Sequence, residues 1–235
     1  MGLSLTLSGI INKPEKDVTD ALKSYLKIDG GDFEPAAIDK NHKNFCAIQT
    51  ENGNATIIFP PYFFKSSECS LFLSKELKAA VFLLDIFDGD FWSYTLYFNG
   101  RIRDKFMPIP DYFNEDISQK EIKSWKGDAR IITKYVPGLS EESVEKYLIR
   151  WNLDLDEDEI KAYQDDEFTN CEYQLFDFMR KLKLPYELDD DDNPKGQAFM
   201  FWSNDFPLET VEINQPSTSK SLAGVSKQKP WWKFR

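Results

Sequence analysis

The stretch VFLLDIFDGDFWSYTLYFNGRIRDKFM, residues 81–107, decides the fold of this chain. It holds three runs rich in aromatic and β-branched residues, separated by Asp88-Gly89 and Asn99-Gly100. Asx-Gly pairs favour the two-residue turns of β-hairpins, because both central positions of such a turn need a positive φ. The pattern predicts a three-stranded antiparallel meander, with strands at 81–87, 90–98 and 101–107.

The residues before the meander predict more strands and two helices. Residues 3–8 alternate leucine with serine or threonine, as a strand does, and Asn52-Gly53 separates two further strand-like runs. Apolar residues recur at helical spacing over 17–28 and 67–77. The predicted order is β-α-β-β-α-β-β-β. Its first six elements match the ferredoxin-like plan, so the expected class is α+β, with an antiparallel sheet and extra strands appended.

The second half of the chain predicts helices at roughly 127–136, 140–150 and 171–184, followed by a late strand at 197–203. Ser140 is a predicted N-cap, as is Ser66 or Ser67 for the helix at 67–77. Apolar stripes on these helices need a surface to cover, so we expect a helical C-terminal half packed on the sheet. Three regions follow: a sheet domain at 1–116, a mainly helical acidic region at 117–208, and a polar linker with an aromatic-basic peptide at 209–235.

The net charge of -11 is concentrated in one part of the chain. Residues 154–192 carry 15 acidic and 4 basic side chains, so the remainder is neutral. Clustered carboxylates repel nucleic acid and attract cationic protein surfaces. We therefore expect a basic partner protein and no nucleic acid. The candidate partner-binding residues in this region are Asp156, Asp158, Asp165, Asp166 and Glu167.

The C-terminal residues are a second candidate interaction element. Trp231, Trp232 and Phe234 follow a polar linker, and each would bury about 150–250 Å² when packed. The segment is also basic, so its natural complement is an acidic and partly apolar surface. The hypotheses are docking on the acidic region of the same chain, exchange within a homo-oligomer, and docking on a separate partner protein.

The sequence contains no catalytic constellation. Its single histidine, His42, lies in a polar stretch typical of a surface loop, and no phosphate-binding glycine motif occurs. Asp85, Asp88 and Asp90 surround the first meander turn, which already explains Asp88. Asp154, Asp156, Asp158 and Asp165 have a partial EF-hand spacing, but Glu159 stands where the loop needs glycine. We expect no cofactor and no metal site.

The remaining features concern location and function. Three widely spaced cysteines argue for a reducing compartment, and no signal peptide or membrane-spanning stretch is predicted. The leading hypothesis is a non-enzymatic cytoplasmic interaction protein, of bacterial immunity or inhibitor type, whose acidic face binds a basic partner such as a nuclease toxin. The alternatives are a carboxylate- or metal-dependent enzyme and an adaptor that docks through its Trp-Trp peptide. A merely solubilising acidic face has about the same weight as the leading hypothesis.

Overall fold

The computed structural model describes residues 2–37, 39, 42–114, 116–151 and 171–208. Strands predominate in the first half of the chain, with two helices among them, and the described segments 116–151 and 171–185 are mainly helical. The elements are β1 Leu5–Ile10, α1 Glu15–Ile28, β2 Asp32–Pro35, β3 Phe45–Glu51, β4 Asn54–Ile58, α2 Ser66–Glu76, β5 Ala80–Phe87, β6 Phe91–Phe98, β7 Ile102–Phe106, α3 Gln119–Ser124, α4 Ala129–Tyr135, α5 Glu141–Glu145, α6 Cys171–Lys181 and β8 Gln197–Trp202.

All eight strands join one antiparallel sheet in the order β2-β8-β3-β4-β1-β5-β6-β7. The predicted meander is confirmed as β5-β6-β7, with both residues of Asp88-Gly89 and of Asn99-Gly100 at positive φ. Asn52-Gly53 turns in the same way between β3 and β4. The expected α+β class with an antiparallel sheet is therefore confirmed, and its turns are the ones that Asx-Gly pairs favour.

Helices α1 and α2 cover one face of the sheet, here called the α1–α2 face. Leu22 of α1 and Leu73 of α2 have no solvent exposure and pack against sheet residues such as Ile57 and Val81. Helix α1 is amphipathic, and its buried stripe is apolar: Val18, Ala21, Leu22 and Leu26. The buried side of α2 is mixed, with Ser70 and Ser74 beside Cys69 and Leu73. Apolar periodicity therefore explains α1 more fully than α2.

Helices α4, α5 and α6 cover the opposite face, here called the α4–α6 face. Trp92 and Tyr94 of β6 have no solvent exposure and lie in one core with Ile132 of α4, Val144 of α5 and Phe178 of α6. The result is a sheet buried on both faces, which explains why β3, β4 and β5 consist almost entirely of buried residues instead of alternating with polar ones.

Two strands differ in how well the sequence predicted them. The late strand is confirmed as β8, which inserts between β2 and β3. Strand β2 was not predicted, because its four residues, DFEP, show no alternation and end in proline. It lies at the edge of the sheet, where a proline without an N–H is tolerated.

The helices of the second half are shorter than the sequence predicted, and α3 was not predicted at all. Helix α5 ends at Glu145, not near 150. The backbone N–H groups of Tyr147 and Leu148 donate to carbonyls three residues back, and that of Trp151 donates to Pro108. The chain therefore leaves the helix to reach the segment after β7. Of the expected helical half, the described residues contain four short helices and β8.

The predicted helix caps have opposite outcomes. The Ser140 hydroxyl accepts a hydrogen bond from the backbone N–H of Ser143, so this N-cap is confirmed. The cap predicted for α2 is wrong: Lys65 occupies the N-cap position and no side chain caps the helix. Ser67 instead hydrogen-bonds Tyr97 on β6 (2.8 Å), so its hydroxyl is used to attach the helix to the sheet.

Within the described ranges, no helix has both the length and the apolar character that a bilayer span requires.

Candidate functional site

The candidate residues named from the sequence lie outside the described part of the chain. This holds for Asp156, Asp158, Asp165, Asp166 and Glu167, for the partial EF-hand spacing that begins at Asp154, and for Trp231, Trp232 and Phe234. These assignments stay predictions. Residues 171–192 of the acidic region are described, and they show how its second half is used.

One acidic residue of this region points into the protein. Asp177 of α6 is 4% exposed, and its carboxylate accepts a hydrogen bond from the hydroxyl of Tyr147, which lies in the turn just after α5. Arg180 and Lys181, one turn further along α6, also approach it, at 3.2 and 3.9 Å. A buried carboxylate held in this way joins the turn after α5 to α6 and is not available to a partner.

The exposed acidic surface is a loop, residues 187–192, here called the acidic loop. Its sequence, ELDDDD, places five carboxylates on six residues, and Glu187, Asp190, Asp191 and Asp192 are all exposed. One oxygen of Asp189 accepts hydrogen bonds from the backbone N–H groups of Asp191 and Asn193, both at 2.9 Å. Asp189 therefore shapes the loop, as aspartate commonly does in turns, while its neighbours face solvent.

The sheet holds the base of the acidic loop in place. The Gln49 side chain of β3 donates to the Glu187 carbonyl (2.7 Å) and accepts from the Glu187 N–H (2.8 Å). Beyond the loop, the Lys195 N–H donates to the same carbonyl (2.9 Å), and its ammonium group pairs with the Glu187 carboxylate (3.3 Å). The carboxylates are thus presented on a fixed base beside the β3–β4 hairpin.

The three aspartates around the first meander turn do not form a site. The Asp85 carboxylate accepts from the Thr6 hydroxyl (2.8 Å) on the α1–α2 face. Asp88 accepts from the backbone N–H of Gly2 (2.8 Å), and Asp90 accepts from the Tyr112 hydroxyl. Each carboxylate has its own structural partner, so the turn interpretation of this cluster is supported over acid-base chemistry.

Asp85 nevertheless has an unusual environment for a carboxyl group. Burial between β1 and β6 raises its pKa to about 6, although the hydrogen bond from Thr6 lowers it. Register places Thr6 and Ser93 on either side of it. Tyr97 of β6 is a second titratable group on the α1–α2 face: burial raises its pKa, and the charge of Asp85 adds to that effect.

The other reactive side chains give no catalytic arrangement within the described ranges. His42 lies in a loop, where its ring accepts the backbone N–H of Asn44 (3.1 Å). Cys46 and Cys69 are buried and free, and burial raises the pKa of both thiols. No group of three metal-ligating side chains occurs in the part of the chain that the structure describes.

Sequence reasoning missed the buried polar pairs on the α4–α6 face. The Trp92 indole N–H donates to Gln174 (3.1 Å), and the Tyr94 hydroxyl donates to Asp104 (2.6 Å). Burial raises the pKa of Asp104, which also accepts the backbone N–H of Asp128 (2.9 Å). These pairs attach α6 and the start of α4 to the sheet. In the sequence, the one sign of these pairs is that polar residues interrupt apolar runs.

Comparisons of the chain with protein-family models, with curated proteins and with solved structures give no match. The described surface offers fixed, exposed carboxylates, which can bind cationic groups.

Proposed function

We propose that this protein is a non-enzymatic interaction protein that binds a basic partner protein through its acidic face, in the manner of an immunity or inhibitor protein. The observation that carries the proposal is the acidic loop, whose exposed carboxylates stand on a base hydrogen-bonded to Gln49. A loop fixed in this way loses little conformational entropy on binding. The acidic residues at 154–167 extend the same charge along the sequence.

Electrostatics explains what such a face achieves. Complementary charge speeds association and excludes nucleic acid, whose phosphates carry the same sign. If the partner is itself a nucleic-acid-binding protein, the acidic face covers the surface that contacts phosphate. The attraction acts over about 10 Å at 0.1 M salt, so it is sensitive to ionic strength.

Association kinetics test the proposal. The protein is immobilised and exposed to poly-L-lysine as a defined cationic probe, to a 20-base-pair DNA duplex, and to basic proteins captured from the native cell. Neutralising Asp190, Asp191 and Asp192 to Asn should slow association with the cationic species about tenfold at low salt, and the deficit should shrink as salt rises. Asp189 is left intact because it shapes the loop.

A matched control neutralises three exposed carboxylates elsewhere. Glu141, Glu142 and Glu145 of α5 changed to Gln remove the same charge from another surface. Equal slowing by both triple variants would show that net charge alone attracts the probe, which would overturn a specific acidic face. A variant with Asp156, Asp158, Asp165 and Asp166 changed to Asn and Glu167 changed to Gln tests the first half of the region in the same assay.

The aromatic tail is proposed as a second contact, on the acidic region of the same chain or of a second copy. Its support is compositional: three aromatic residues, Trp231, Trp232 and Phe234, stand in a basic segment whose charge has the opposite sign to that of the acidic loop. Deleting residues 228–235 should lower the melting temperature in the intramolecular case and convert a dimer to a monomer in light scattering in the exchange case. No change in either measurement would leave the tail to a separate partner.

The finer fold assignment is also a proposal. We infer a ferredoxin-like plan for the central four strands because their order is β5-β1-β4-β3, with α1 and α2 on one face. On this view β6 and β7 extend the sheet beyond β5, and β8 and β2 extend it beyond β3. The free, buried thiols of Cys46 and Cys69 support the proposed cytoplasmic location, which cell fractionation tests.

A further inference from the structure

Two adjoining cavities lie at the end of the sheet where β1 finishes. The first, of about 370 Å³, lies between the β3–β4 turn and the end of α6; the second, of about 250 Å³, lies between the end of β1 and the start of β5. Ile11 and Asn12 line both. The two cavities, which share these residues, are together called the groove here.

The polar lining of this groove is cationic at both ends. Lys183 lines the first cavity, and Lys13 and Lys78 line the second. No described carboxylate lines either cavity, and among the described residues none of these three ammonium groups has an ion-pair partner. Unpaired positive charge on a concave surface attracts anions.

The groove also offers neutral groups. The side-chain amides of Asn12 and Asn52 have no hydrogen-bond partner among the described residues, and each can donate twice. Val136 and Leu182 also line the first cavity, but they are 3% and 0% exposed, so they form a buried floor and offer little apolar surface. Such a lining suits a small polar ligand that carries negative charge.

Four of the residues that line the groove have positive φ angles. Asn12, Asn52, Lys78 and Lys183 all have φ between +50° and +57°. Lysine in this conformation costs about 1 kcal/mol or more relative to glycine. A positive charge beside a helix C-terminus interacts favourably with the helix dipole. This interaction explains in part why lysine occurs at positions 78 and 183, which follow α2 and α6. It does not account for Lys13, which follows a strand.

We propose that this groove is a binding site for a small polar molecule that carries two or more anionic groups, either carboxylates or phosphates. One anionic group pairs with Lys183 and another with Lys13 and Lys78, while the body of the ligand lies along Ile11 and Asn12. This site is independent of the acidic face and lies on other residues. Its ligand has the opposite charge to the partner proposed above.

The experiment titrates the full-length protein with citrate and with pyrophosphate, as carboxylate and phosphate probes, and with acetate and phosphate as simpler anions. Backbone amide shifts and calorimetry report binding. We expect saturable binding of citrate or pyrophosphate, at least tenfold tighter than that of the matching simple anion, with shifts at Asn12, Gly53, Lys78 and Lys183. Tighter binding of citrate would identify carboxylates as the preferred anionic groups, and tighter binding of pyrophosphate would identify phosphates.

Two kinds of variant locate the site. Changing Lys13, Lys78 and Lys183 to Gln should weaken binding at least tenfold, whereas changing Lys120 and Lys123 on α3 to Gln should leave it unchanged. Asn12→Asp keeps a residue that tolerates positive φ and places a negative charge between the two lysine sites. It should also weaken binding about tenfold without lowering the melting temperature.

Several results would overturn this proposal. The first is that neither probe shows saturable binding, and the second is that simple and multiply charged anions bind with equal affinity. The third is that changing Lys120 and Lys123 on α3 weakens anion binding as much as the triple lysine variant does. Binding that survives both the triple lysine variant and Asn12→Asp would place the anion elsewhere. Since none of these variants touches the acidic loop, the result is separable from the test of partner binding.

Discussion

The two faces of the sheet are covered by different kinds of layer. On the α1–α2 face, helices that adjoin their strands in sequence contribute mainly aliphatic residues, and the buried hydroxyls of Ser8 and Ser70 pair at 2.6 Å. On the α4–α6 face, helices from distant segments meet aromatic rings, and Tyr94 stacks on Phe178 at 5.5 Å. Ring contacts occur on both faces, but on the α1–α2 face the buried rings come from strands and loops, as in the pair Phe63–Phe201, whereas α6 itself packs Phe178 against the rings of the sheet. The difference teaches that the helix from a distant segment is anchored by its own aromatic ring, whereas the local helices are held mainly by aliphatic side chains.

The largest expected effect tests this contrast directly. Phe178 has no solvent exposure and contacts the rings of Trp92, Tyr94 and Tyr147, so Phe178→Ala should cost about 3–5 kcal/mol in the free energy of unfolding. Leu73→Ala on the other face should cost less, about 2–4 kcal/mol. Urea unfolding measures both.

The exposed Phe64, which is 89% accessible, supplies the control, and Phe64→Ala should change stability by less than about 0.5 kcal/mol. If Leu73→Ala costs more than Phe178→Ala, the α4–α6 face is the looser of the two and the comparison is reversed.

A double-mutant cycle examines the buried pair between β6 and α6. Trp92→Phe leaves Gln174 without its donor, and Gln174→Leu leaves the indole N–H without its acceptor; each should cost about 1–3 kcal/mol. The Nε2 atom of Gln174 already has no partner. The double variant should therefore cost about 1 kcal/mol less than the two single changes together. Additive losses would mean that the hydrogen bond contributes nothing.

The α1–α2 face has a pH dependence that comes from Asp85. Its pKa in the folded protein is raised to about 6, so the folded state binds the proton more tightly than the unfolded state does. Stability from this group is complete below about pH 4, falls as the pH rises toward 6, and stays low above it. Asp85→Asn should therefore stabilise the protein by about 1–2 kcal/mol at pH 7.5 and have little effect at pH 3.5.

Thr6→Val is the matched variant for this titration. It removes the hydroxyl that lowers the pKa of Asp85, so the loss of stability with rising pH should become larger. Melting temperatures between pH 3.5 and 8 measure both variants. A stability profile that Asp85→Asn leaves unchanged would assign the pH dependence to another group.

The smallest expected effect compares one helix end on each face. Lys78 follows α2 and Lys183 follows α6, and both adopt the left-handed conformation that Gly30 adopts after α1. Changing either lysine to Gly should stabilise the protein by about 0.5–1 kcal/mol. Gly30→Ala is the control and should destabilise, since its Cβ would also lie 2.5 Å from Asn204. Unequal gains would show that one lysine has a compensating contact.

The sequence predicted the parts of this fold that depend on neighbouring residues. The Asx-Gly turns, α1, α2 and the Ser140 cap follow from local backbone preference and periodicity. The Trp92–Gln174 hydrogen bond joins residues 82 positions apart, and no local pattern specifies it. Strand β2 was missed because it depends on β8, and α5 ends early because Trp151 bonds to the Pro108 carbonyl.

The two candidate surfaces differ in the same way. The acidic loop was visible as composition, since Asp189–Asp192 are consecutive. Which carboxylates of residues 171–192 are exposed was not visible, because Asp177 of α6 turns inward to Tyr147. The groove was not predicted at all. Asn12, Asn52, Lys78 and Lys183 come from four separate loops, and their common end of the sheet follows only from the strand order.

The position of β8 has a consequence for how the chain folds. Because β8 lies between β2 and β3, these two early strands have no direct pairing with each other and wait for residues 197–202. A ribosome delivers those residues about 150 positions after β3. Until then β3 presents an unpaired edge, which can join a strand of another nascent chain. Contacts of such sequence separation slow folding, so we expect β1, β3–β4 and the meander to assemble first and β2-β8 to close the sheet last.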